Sequence, residues 1–176
     1  GSEMCIRDRI EAALQEHRID LGLVEGICRL PNLRYTTFLQ DELVAVVHTG
    51  SKLSLPDEIT PEDLSRIPLV LRERGSGTLD VFERALSEHN MKLSSLNVLL
   101  YLGSTESIKL FLEHTDCMGI VSIRSISREL LSGTFRVIEI KGMPMLREFC
   151  FAQPQGQESG LSQVLMQFAM HHNKKL

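Results

Sequence analysis

The sequence lacks any apolar run of the roughly 20 residues that a helix needs to cross a bilayer, and no signal-peptide pattern opens it. It also lacks a dense stripe of lysine and arginine, and its formal net charge is −4. Since nucleic-acid affinity depends on cations that neutralise phosphates, we expect no direct DNA or RNA contact by this chain. These absences also predict no membrane partner.

The four cysteines form no CxxC pair. Cys5, Cys28, Cys117 and Cys150 lie far apart, which is typical of a reduced, cytoplasmic protein rather than of a disulfide framework. The six histidines are scattered, and the adjacent pair His171-His172 does not have the i, i+4 spacing of a helix-face metal pair. We therefore expect neither a metal ion nor a cofactor.

No catalytic set is visible. No histidine stands near Ser76 or Ser104 in the sequence, and the Gly-X-Ser-X-Gly nucleophile motif is absent. A Gly-Lys-Ser/Thr phosphate loop is absent too, so the glycines at 75 and 77 do not form a nucleotide site of that kind. The sequence predicts a protein that is not an enzyme.

Two stretches share one plan, an apolar strand followed by a polar turn and an amphipathic helix. Residues 96–102 form one apolar strand, Gly103 breaks it, and Ser104 can cap the helix that follows, before a buried strand at 119–122. Residues 67–71 form another, followed by a turn at 72–78 and a helical apolar pattern. The two glycine-bearing helix starts could converge on one ligand, or both could be ordinary turns that use glycine for backbone freedom and serine for capping.

The rest of the 176-residue chain continues the alternation of strands and helices. Thr60-Pro61 with Asp63 predicts a capped helix start. Residues 10–17, 125–131 and an apolar face at Leu161, Val164, Leu165, Phe168 and Ala169 predict further helices, while 21–24, 34–39, 42–48, 135–140 and 146–152 predict strands. We expect an α/β protein of one domain or two small lobes with largely parallel sheets.

Five motifs, in order and spacing, resemble the effector-binding domain of LysR-type transcriptional regulators. They are DLGLVEG at 20–26, DELVAVV at 41–47, IPLVLRERGSGT at 67–78, LGSTESIK at 102–109 and GIVS at 119–122. The resemblance covers about residues 10–172. Each motif alone is loose, but five in register make a specific signal.

The resemblance implies a two-lobed fold of the type 2 periplasmic-binding-protein class, with a small-molecule site between the lobes. Lobe I would comprise 10–41 and 148–176, lobe II 42–147, and 1–9 would be a non-native or disordered leader. The first strand, helix and second strand of the family's lobe I have no counterpart, so lobe I would be incomplete. Leu21, Leu23 and Val24 would then lack sheet neighbours, at a cost of about 5–9 kcal/mol, and we expect lobe I to be loose.

Carried over residue by residue, the resemblance implies an effector site formed by Glu25, Ser76, Gly77, Thr78, Ser104 and Thr105. Hydroxyls and N–H groups at helix starts suit a carboxylate or an oxyanion. Glu25 would repel an anion, so it would favour an effector with an amine or hydroxyl, or it is simply a solvated acid at a strand end.

As a regulator, the domain would bind a small polar or anionic metabolite and transmit the change to a DNA-binding domain that is absent from this chain. Self-association through the effector domain in the intact protein, and DNA contact only through the absent domain, are further expectations of the resemblance. Two other functions stay open at this point: a free-standing solute-binding protein and a phosphate-handling α/β enzyme. Turnover of a phosphorylated substrate would favour the enzyme, and saturable binding without turnover would favour the regulator.

Overall fold

A computed structural model of the chain describes residues 6–25, 29–156 and 160–173. The helices are α1 (Ile6–Gln15), α2 (Gly77–Glu88), α3 (Thr105–His114), α4 (Ser127–Leu131) and α5 (Gly160–Asn173), with short 3-10 helices at Pro61–Ser65, Leu93–Ser95 and Ile123–Ile126. The strands are β1 (Gly22–Glu25), β2 (Leu33–His48), β3 (Glu58–Ile59), β4 (Leu69–Arg72), β5 (Val98–Leu102), β6 (Met118–Ser122), β7 (Phe135–Ile140) and β8 (Met145–Pro154). Of the predicted leader at 1–9, residues 1–5 lie outside the described part, and α1 begins at Ile6.

The chain divides into two compact units. Unit 1 comprises Gly1–Gln40 and Arg147–Leu176, and unit 2 comprises Asp41–Leu146. Strands β2 and β8 contribute residues to both units. The sequence predicted separate strands at 34–39 and 42–48, whereas β2 is one strand of 16 residues. Asp41 causes no break because its carboxylate accepts a hydrogen bond from the Ser122 hydroxyl at 2.8 Å, which satisfies a buried polar group inside a strand.

The sheet of unit 2 has the order β2-β6-β4-β5. Strand β4 is parallel to both β5 and β6, but β2 is antiparallel to β6 and to β7, and β3 is parallel to β7. The expectation of largely parallel sheets is therefore wrong, and the sheet is mixed. Parallel neighbours need a crossover connection, and in this sheet α2 and α3 supply the crossovers that join β4, β5 and β6.

Two apolar layers cover the faces of this sheet. On one face, Phe82 of α2 and Leu71 of β4 belong to a cluster of nineteen buried side chains. On the other face, Ile108 and Leu112 of α3 pack with Val70 in a cluster of nine. Gly119 lets α3 approach β6 closely, because a Cβ atom there would lie 3.0 Å from Ile108 and 3.1 Å from Leu112. Unit 2 is thus a three-layer α/β unit.

Unit 1 contains strands in the order β1-β8-β2, with β1 antiparallel to β8. Its buried cluster consists of Leu14, Val24, Leu33 and Ala152. The apolar face predicted for the last helix lies on α5, but its four large side chains are half or more exposed: Leu161, Val164, Leu165 and Phe168. Leu23 of β1 is also 48% exposed, but Val24 is buried and both residues pair with β8, so the expectation that they lack sheet neighbours is wrong. The small core of unit 1 thus leaves much of its apolar surface in water.

Candidate functional site

Three parallel strands of unit 2 end at one edge of its sheet. Arg72, the last residue of β4, pairs with Leu102, the last residue of β5. Strand β6 runs in the same direction beside β4, and it ends at Ser122. The carboxyl ends of β4, β5 and β6 therefore share an edge, where the loops of parallel α/β sheets carry ligand-binding groups.

The chain leaves this edge toward opposite faces of the sheet. After β4 it enters α2, which packs on the face of Leu71, and after β5 it enters α3, which packs on the face of Val70. Neighbouring strands whose helices cover opposite faces form a topological switch point, and a crevice opens between their connections. The starts of α2 and α3 flank this crevice.

Ser76 is the N-cap of α2. Its hydroxyl oxygen accepts a hydrogen bond from the N–H of Leu79 at 3.2 Å, as N-cap serines do. Ser76 is 9% exposed and Thr78 is 8% exposed, while Gly77 is half-buried. The sequence predicted a turn through Thr78, but α2 already begins at Gly77, because the cap at Ser76 stabilises a first turn that contains glycine.

Ser104 is the N-cap of α3, as the sequence predicted. Its hydroxyl oxygen accepts from the N–H of Ser107 at 3.1 Å and lies 2.8 Å from the Ser107 hydroxyl. Thr105 is the first residue of the helix and is half-buried. The N–H groups of Gly77 and Thr105, the first residues of the two helices, have no acceptor inside their own helix, which leaves donors at this edge.

Two hydrogen bonds join the connections that lead from β4 to α2 and from β5 to α3. The N–H of Glu73 donates to the carbonyl of Leu102 at 3.1 Å, and the guanidinium of Arg72 donates to the carbonyl of Gly103 at 3.5 Å. Arg72 also pairs with the carboxylate of Glu73 at 2.8 Å. That hydrogen bond lowers the pKa of Glu73 below its ordinary value. Five of the six predicted residues thus belong to one edge of unit 2.

Glu25, the sixth predicted residue, belongs to unit 1. It is the last residue of β1, opposite Phe149 of β8, and it is half-buried. The family resemblance also implied that Glu25 lies at the end of a strand.

Ser122 and Asp41, for which the sequence predicts no role, lie at the same edge as the two helix starts. Besides donating to Asp41, the Ser122 hydroxyl accepts from the N–H of Arg124 at 3.2 Å, and Asp41 is only 6% exposed. The usable signal was the repetition of a serine at the carboxyl end of an apolar strand, at Ser104 after Gly103 and again at Ser122.

Lys109, also without a predicted role, fixes the first turns of α3. Its ammonium lies 2.5 Å from the carboxylate of Glu129 and donates to the carbonyl of Ser125 at 3.1 Å. Burial lowers the pKa of Lys109, but the hydrogen bonds and charges of Glu129 and Glu106 outweigh burial and raise the pKa above its ordinary value. The hydrogen bond from Lys109 in turn lowers the pKa of Glu129.

The described residues hold no group of three or more His, Cys, Asp or Glu side chains that could bind a metal ion. Among the helices of the described ranges, none combines the length and the apolar character needed to cross a membrane. The charged groups at this edge are held in the Arg72–Glu73 and Lys109–Glu129 ion pairs and in the Ser122–Asp41 hydrogen bond. The hydroxyls and backbone N–H groups of the helix starts bind polar or anionic ligands rather than metals.

Residues 3–174 match the family model described as the LysR substrate binding domain. The chain belongs to this family. Among its relatives is the uncharacterized HTH-type transcriptional regulator YeiE of Escherichia coli K12, 32% identical over 134 residues, which are 76% of the chain and 44% of YeiE. The HTH-type transcriptional activator CmpR of Synechocystis is 28% identical over 144 residues, 81% of the chain and 46% of CmpR. The LysR-family chain thus spans less than half of the length of these relatives.

Solved LysR regulatory domains have the same fold. The Synechocystis PCC6803 CcmR regulatory domain, in complex with 2-PG, superposes with a TM-score of 0.76 at 23% identity, over 97% of this chain and 81% of that one. The QuiR effector-binding domain, in complex with shikimate, gives a TM-score of 0.71 at 18% identity, over 98% and 79%. The predicted α/β fold of the periplasmic-binding-protein-like class and the predicted LysR effector-binding domain are confirmed. The family is one of transcriptional regulators, not of enzymes.

Proposed function

We propose that unit 2 binds the polar or anionic group of a small effector at the carboxyl ends of β4 and β5. The residues that we assign to this site are Ser76, Gly77, Thr78, Ser104 and Thr105. The observation that carries the proposal is the pair of helix starts, α2 and α3, which follow the paired parallel strands β4 and β5 at a topological switch point.

The electrostatics of the two helix starts favour an anion. Each helix directs its positive dipole end and its first N–H groups toward the crevice. Because the Ser76 oxygen accepts from Leu79, its hydroxyl hydrogen can point away from the helix as a donor. Charge-assisted hydrogen bonds to a carboxylate or oxyanion are stronger than hydrogen bonds to neutral oxygens, so an anionic group is the ligand that this site prefers.

The assignment of Glu25 to the effector site stays a prediction. A carboxylate that faces the ligand would select an effector that also carries an amine or a hydroxyl, whereas a solvated carboxylate at a strand end would have no influence. Substitution Glu25→Gln separates the two: affinity for amine-bearing effectors falls in the first case and is unchanged in the second.

We infer a population-shift mechanism for the intact regulator. The units would correspond to lobe I, 10–41 with 148–176, and lobe II, 42–147, and an effector would stabilise one of two lobe arrangements by its differential affinity for them. A DNA-binding domain outside this chain would respond to that shift. YeiE and CmpR are HTH-type transcriptional regulators, which supports this mechanism and a cytoplasmic location.

The experiment is a thermal-shift screen of the chain against inorganic phosphate, acetate, shikimate, 2-PG and amino acids. At 100 times its Kd, a ligand that binds only the folded state stabilises it by about 2.7 kcal/mol, which such a screen detects easily. Every hit is then tested on Ser104→Asp. Aspartate caps a helix as well as serine does, so α3 is retained, while the added negative charge repels an anion.

The matched control is Ser54→Asp, which adds the same charge at an exposed residue outside the proposed site. The proposal predicts that anion-induced stabilisation is lost in Ser104→Asp and kept in Ser54→Asp. Equal loss in both variants would mean a general charge effect, and undiminished binding in Ser104→Asp would place the ligand elsewhere.

Association with a second copy of the domain is a further proposal for the intact protein. The edge strand β5 and the outer face of α3 expose Leu100 and Leu110, with 41% and 61% of their surface in water. An exposed edge with apolar side chains is a site for pairing with another chain. Substitution of Leu100 by lysine is expected to lower the association constant measured by analytical ultracentrifugation, and an unchanged constant would contradict this face as the interface.

A further inference from the structure

A cavity of unit 2 lies apart from the residues that we assign to the effector site. It is an open groove with a volume of about 310 Å³, and its lining residues are exposed except for the half-buried Leu93. Six residues from α2, β5, the turn after β4 and the 3-10 helix region line it: Arg74, Glu83, Lys92, Leu93, Ser94 and Tyr101. All six belong to unit 2.

The cavity lies on the α2 side of the sheet. Tyr101 is opposite Leu71 in the parallel pair β4–β5, and paired residues point to the same face. Leu71 packs with α2, and so does Leu93, which is partly buried against the same cluster. Leu100, the residue that we assign to self-association, is opposite Val70 and faces the α3 side. The cavity is therefore separate from that surface.

Two cations without partners give the cavity its charge. Arg74 and Lys92 make no side-chain hydrogen bond or ion pair with any other residue that the structure describes. Arg72, two residues before Arg74, differs in this respect, because Glu73 and the carbonyl of Gly103 occupy its guanidinium. One acid, Glu83, faces the two cations. An anion placed between them can form charge-assisted hydrogen bonds without breaking any existing ion pair.

The remaining lining is amphipathic. Tyr101 is 37% exposed, so its ring offers a flat apolar surface with a hydroxyl at its edge, and Leu93 adds an aliphatic wall. Ser94 contributes a second hydroxyl. Inorganic anions would use the two cations but leave the apolar wall uncovered. A ligand with both a carboxylate and an apolar group would use the whole lining.

A smaller cavity of unit 2 provides a contrast. It has about 150 Å³ and is lined by residues of the paired strands β2 and β7 and of the turn after β7, with Glu42 and Glu139 as its charged residues. Its two carboxylates repel an anion, and its apolar side chains cannot donate a hydrogen bond to one. The cavity beside Tyr101 has twice this volume and the opposite sign of charge, so it is the one suited to a carboxylate.

We propose that the cavity beside Tyr101 is a second ligand site, which binds a small organic carboxylate with an aromatic or aliphatic group. The carboxylate contacts Arg74 and Lys92, and the apolar group packs on Tyr101 and Leu93. The site is independent of the hydroxyl-bearing helix starts, since neither Ser76 nor Ser104 lines it.

The test is titration of the isotope-labelled chain with three ligands of nearly equal shape: phenylacetate, 2-phenylethanol and phenethylamine. Phenylacetate is expected to shift the amide resonances of Leu93, Ser94 and Tyr101 with saturation below about 10 mM. The neutral alcohol keeps the ring but lacks the charge, so its affinity is expected to be at least about tenfold lower than that of phenylacetate. The amine is repelled by the two cations. Equal affinity for acid and alcohol, or no saturable shift with phenylacetate, overturns the proposal.

Charge-neutral variants locate the carboxylate. Arg74→Gln and Lys92→Gln are each expected to lower the affinity about five- to tenfold. Both side chains lack partners among the described residues, so the fold is retained, and circular dichroism checks this. Lys141→Gln and Arg128→Gln, two exposed cations outside the cavity, are the matched controls and are expected to change nothing.

Ser104→Asp separates this site from the proposed effector site. It is expected to leave the phenylacetate-induced shifts of Ser94 and Tyr101 unchanged, even where it abolishes binding of an effector at the helix starts. Loss of these shifts in Ser104→Asp, or unchanged affinity in the double variant R74Q/K92Q, would show that phenylacetate binds elsewhere and would refute the second site.

Discussion

The two units of the chain differ in how much apolar surface they bury. Unit 2 packs nineteen described side chains on the α2 side of its sheet and nine on the α3 side, whereas the buried cluster of unit 1 has four members. Both units expose large apolar side chains, but in unit 1 four of them lie along one helix, α5. Burial of apolar surface is the main favourable term in folding, so unit 2 gains more folding free energy from its core than unit 1 does.

Because unit 2 is the better packed unit, its candidate sites are expected to be the more rigid ones. The starts of α2 and α3 and the cavity beside Tyr101 all rest on the well-packed unit. A binding site needs its groups fixed before the ligand arrives, because ordering them on binding costs affinity. Glu25, in contrast, ends a strand of the poorly packed unit. We expect ligand affinity to depend mostly on unit 2.

Hydrogen exchange gives the largest expected contrast between the units. Amides of Val70 and Ile120, in the centre of the unit 2 sheet, are compared with those of Val24 and Phe151 in β1 and β8. Leu23 and the four large α5 side chains are 48–70% exposed, so each forgoes about half of the roughly 1.5–3 kcal/mol that full burial contributes. Over these five side chains, the free energy of opening in unit 1 is expected to be about 4–8 kcal/mol lower than in unit 2.

One result of the hydrogen-exchange experiment would contradict this expectation. If the amides of β1 and β8 are as protected as those of β4 and β6, the expectation of a loose lobe I is wrong. Exchange measured at two protein concentrations serves as the control. Protection that rises with concentration would show that association of chains, rather than the unit itself, buries the α5 face.

A smaller effect is expected at the ion pair that joins α3 to α4 in unit 2. The side chains of Lys109 and Glu129 are only 13% and 19% exposed, so removal of the ammonium leaves a half-buried carboxylate without its cation. Lys109→Met is expected to cost about 1–3 kcal/mol in the free energy of unfolding measured in urea. The control is Glu106→Gln: Glu106 also pairs with Lys109 but is 79% exposed, so its loss costs less than about 0.5 kcal/mol.

The pH dependence of this pair follows from the lowered pKa of Glu129. A carboxyl group whose pKa is lower in the folded state stabilises the fold above its ordinary pKa, and this contribution is lost as the pH falls through the folded value. The difference between wild type and Lys109→Met is thus expected at pH 7 and should shrink below the ordinary value of 4.5. A difference that does not change with pH would contradict an electrostatic origin.

The sequence predicted unit 2 better than unit 1 for the same physical reason. Strands β4 and β6 of unit 2 are buried on both faces and read as continuous apolar runs, and the serine caps at Ser76 and Ser104 mark where α2 and α3 begin. The sequence did not reveal the antiparallel direction of β2, since strand direction depends on long-range pairing. Nor did it indicate that α5 exposes its apolar face, because periodicity shows which side chains share a face but not what covers that face.

The candidate site was partly predictable. Helix starts are local features, so Ser76 and Ser104 could be found from capping chemistry together with the family motifs. The contact of Ser122 with Asp41 joins residues 81 positions apart, and no local pattern predicts it. The cavity beside Tyr101 could not be predicted from the sequence either, because its lining comes from four separate segments of the chain.

The smallest expected effect tests a polar network inside unit 1. The Thr37 hydroxyl of β2 donates to the Glu148 carboxylate of β8, which also accepts from the Cys150 thiol at 3.1 Å and from Arg29 at 3.3 Å. The Thr37 hydrogen bond is the main cause that lowers the pKa of Glu148 below its ordinary value. If packing in unit 1 is weak, such polar contacts carry a larger share of its stability.

Thr37→Val keeps the shape and the strand propensity of threonine but removes the donor. We expect a loss of about 0.5–1.5 kcal/mol, read from the exchange of β8 amides at pH 7. Because the pKa of Glu148 is lowered in the folded state, this loss should diminish as the pH falls below about 4.5 and the carboxylate is protonated. Thr36→Val, on the neighbouring residue of the same strand, is the matched control. Equal effects of the two substitutions would mean that the hydroxyl of Thr37 adds nothing, and that unit 1 depends on its small apolar core alone.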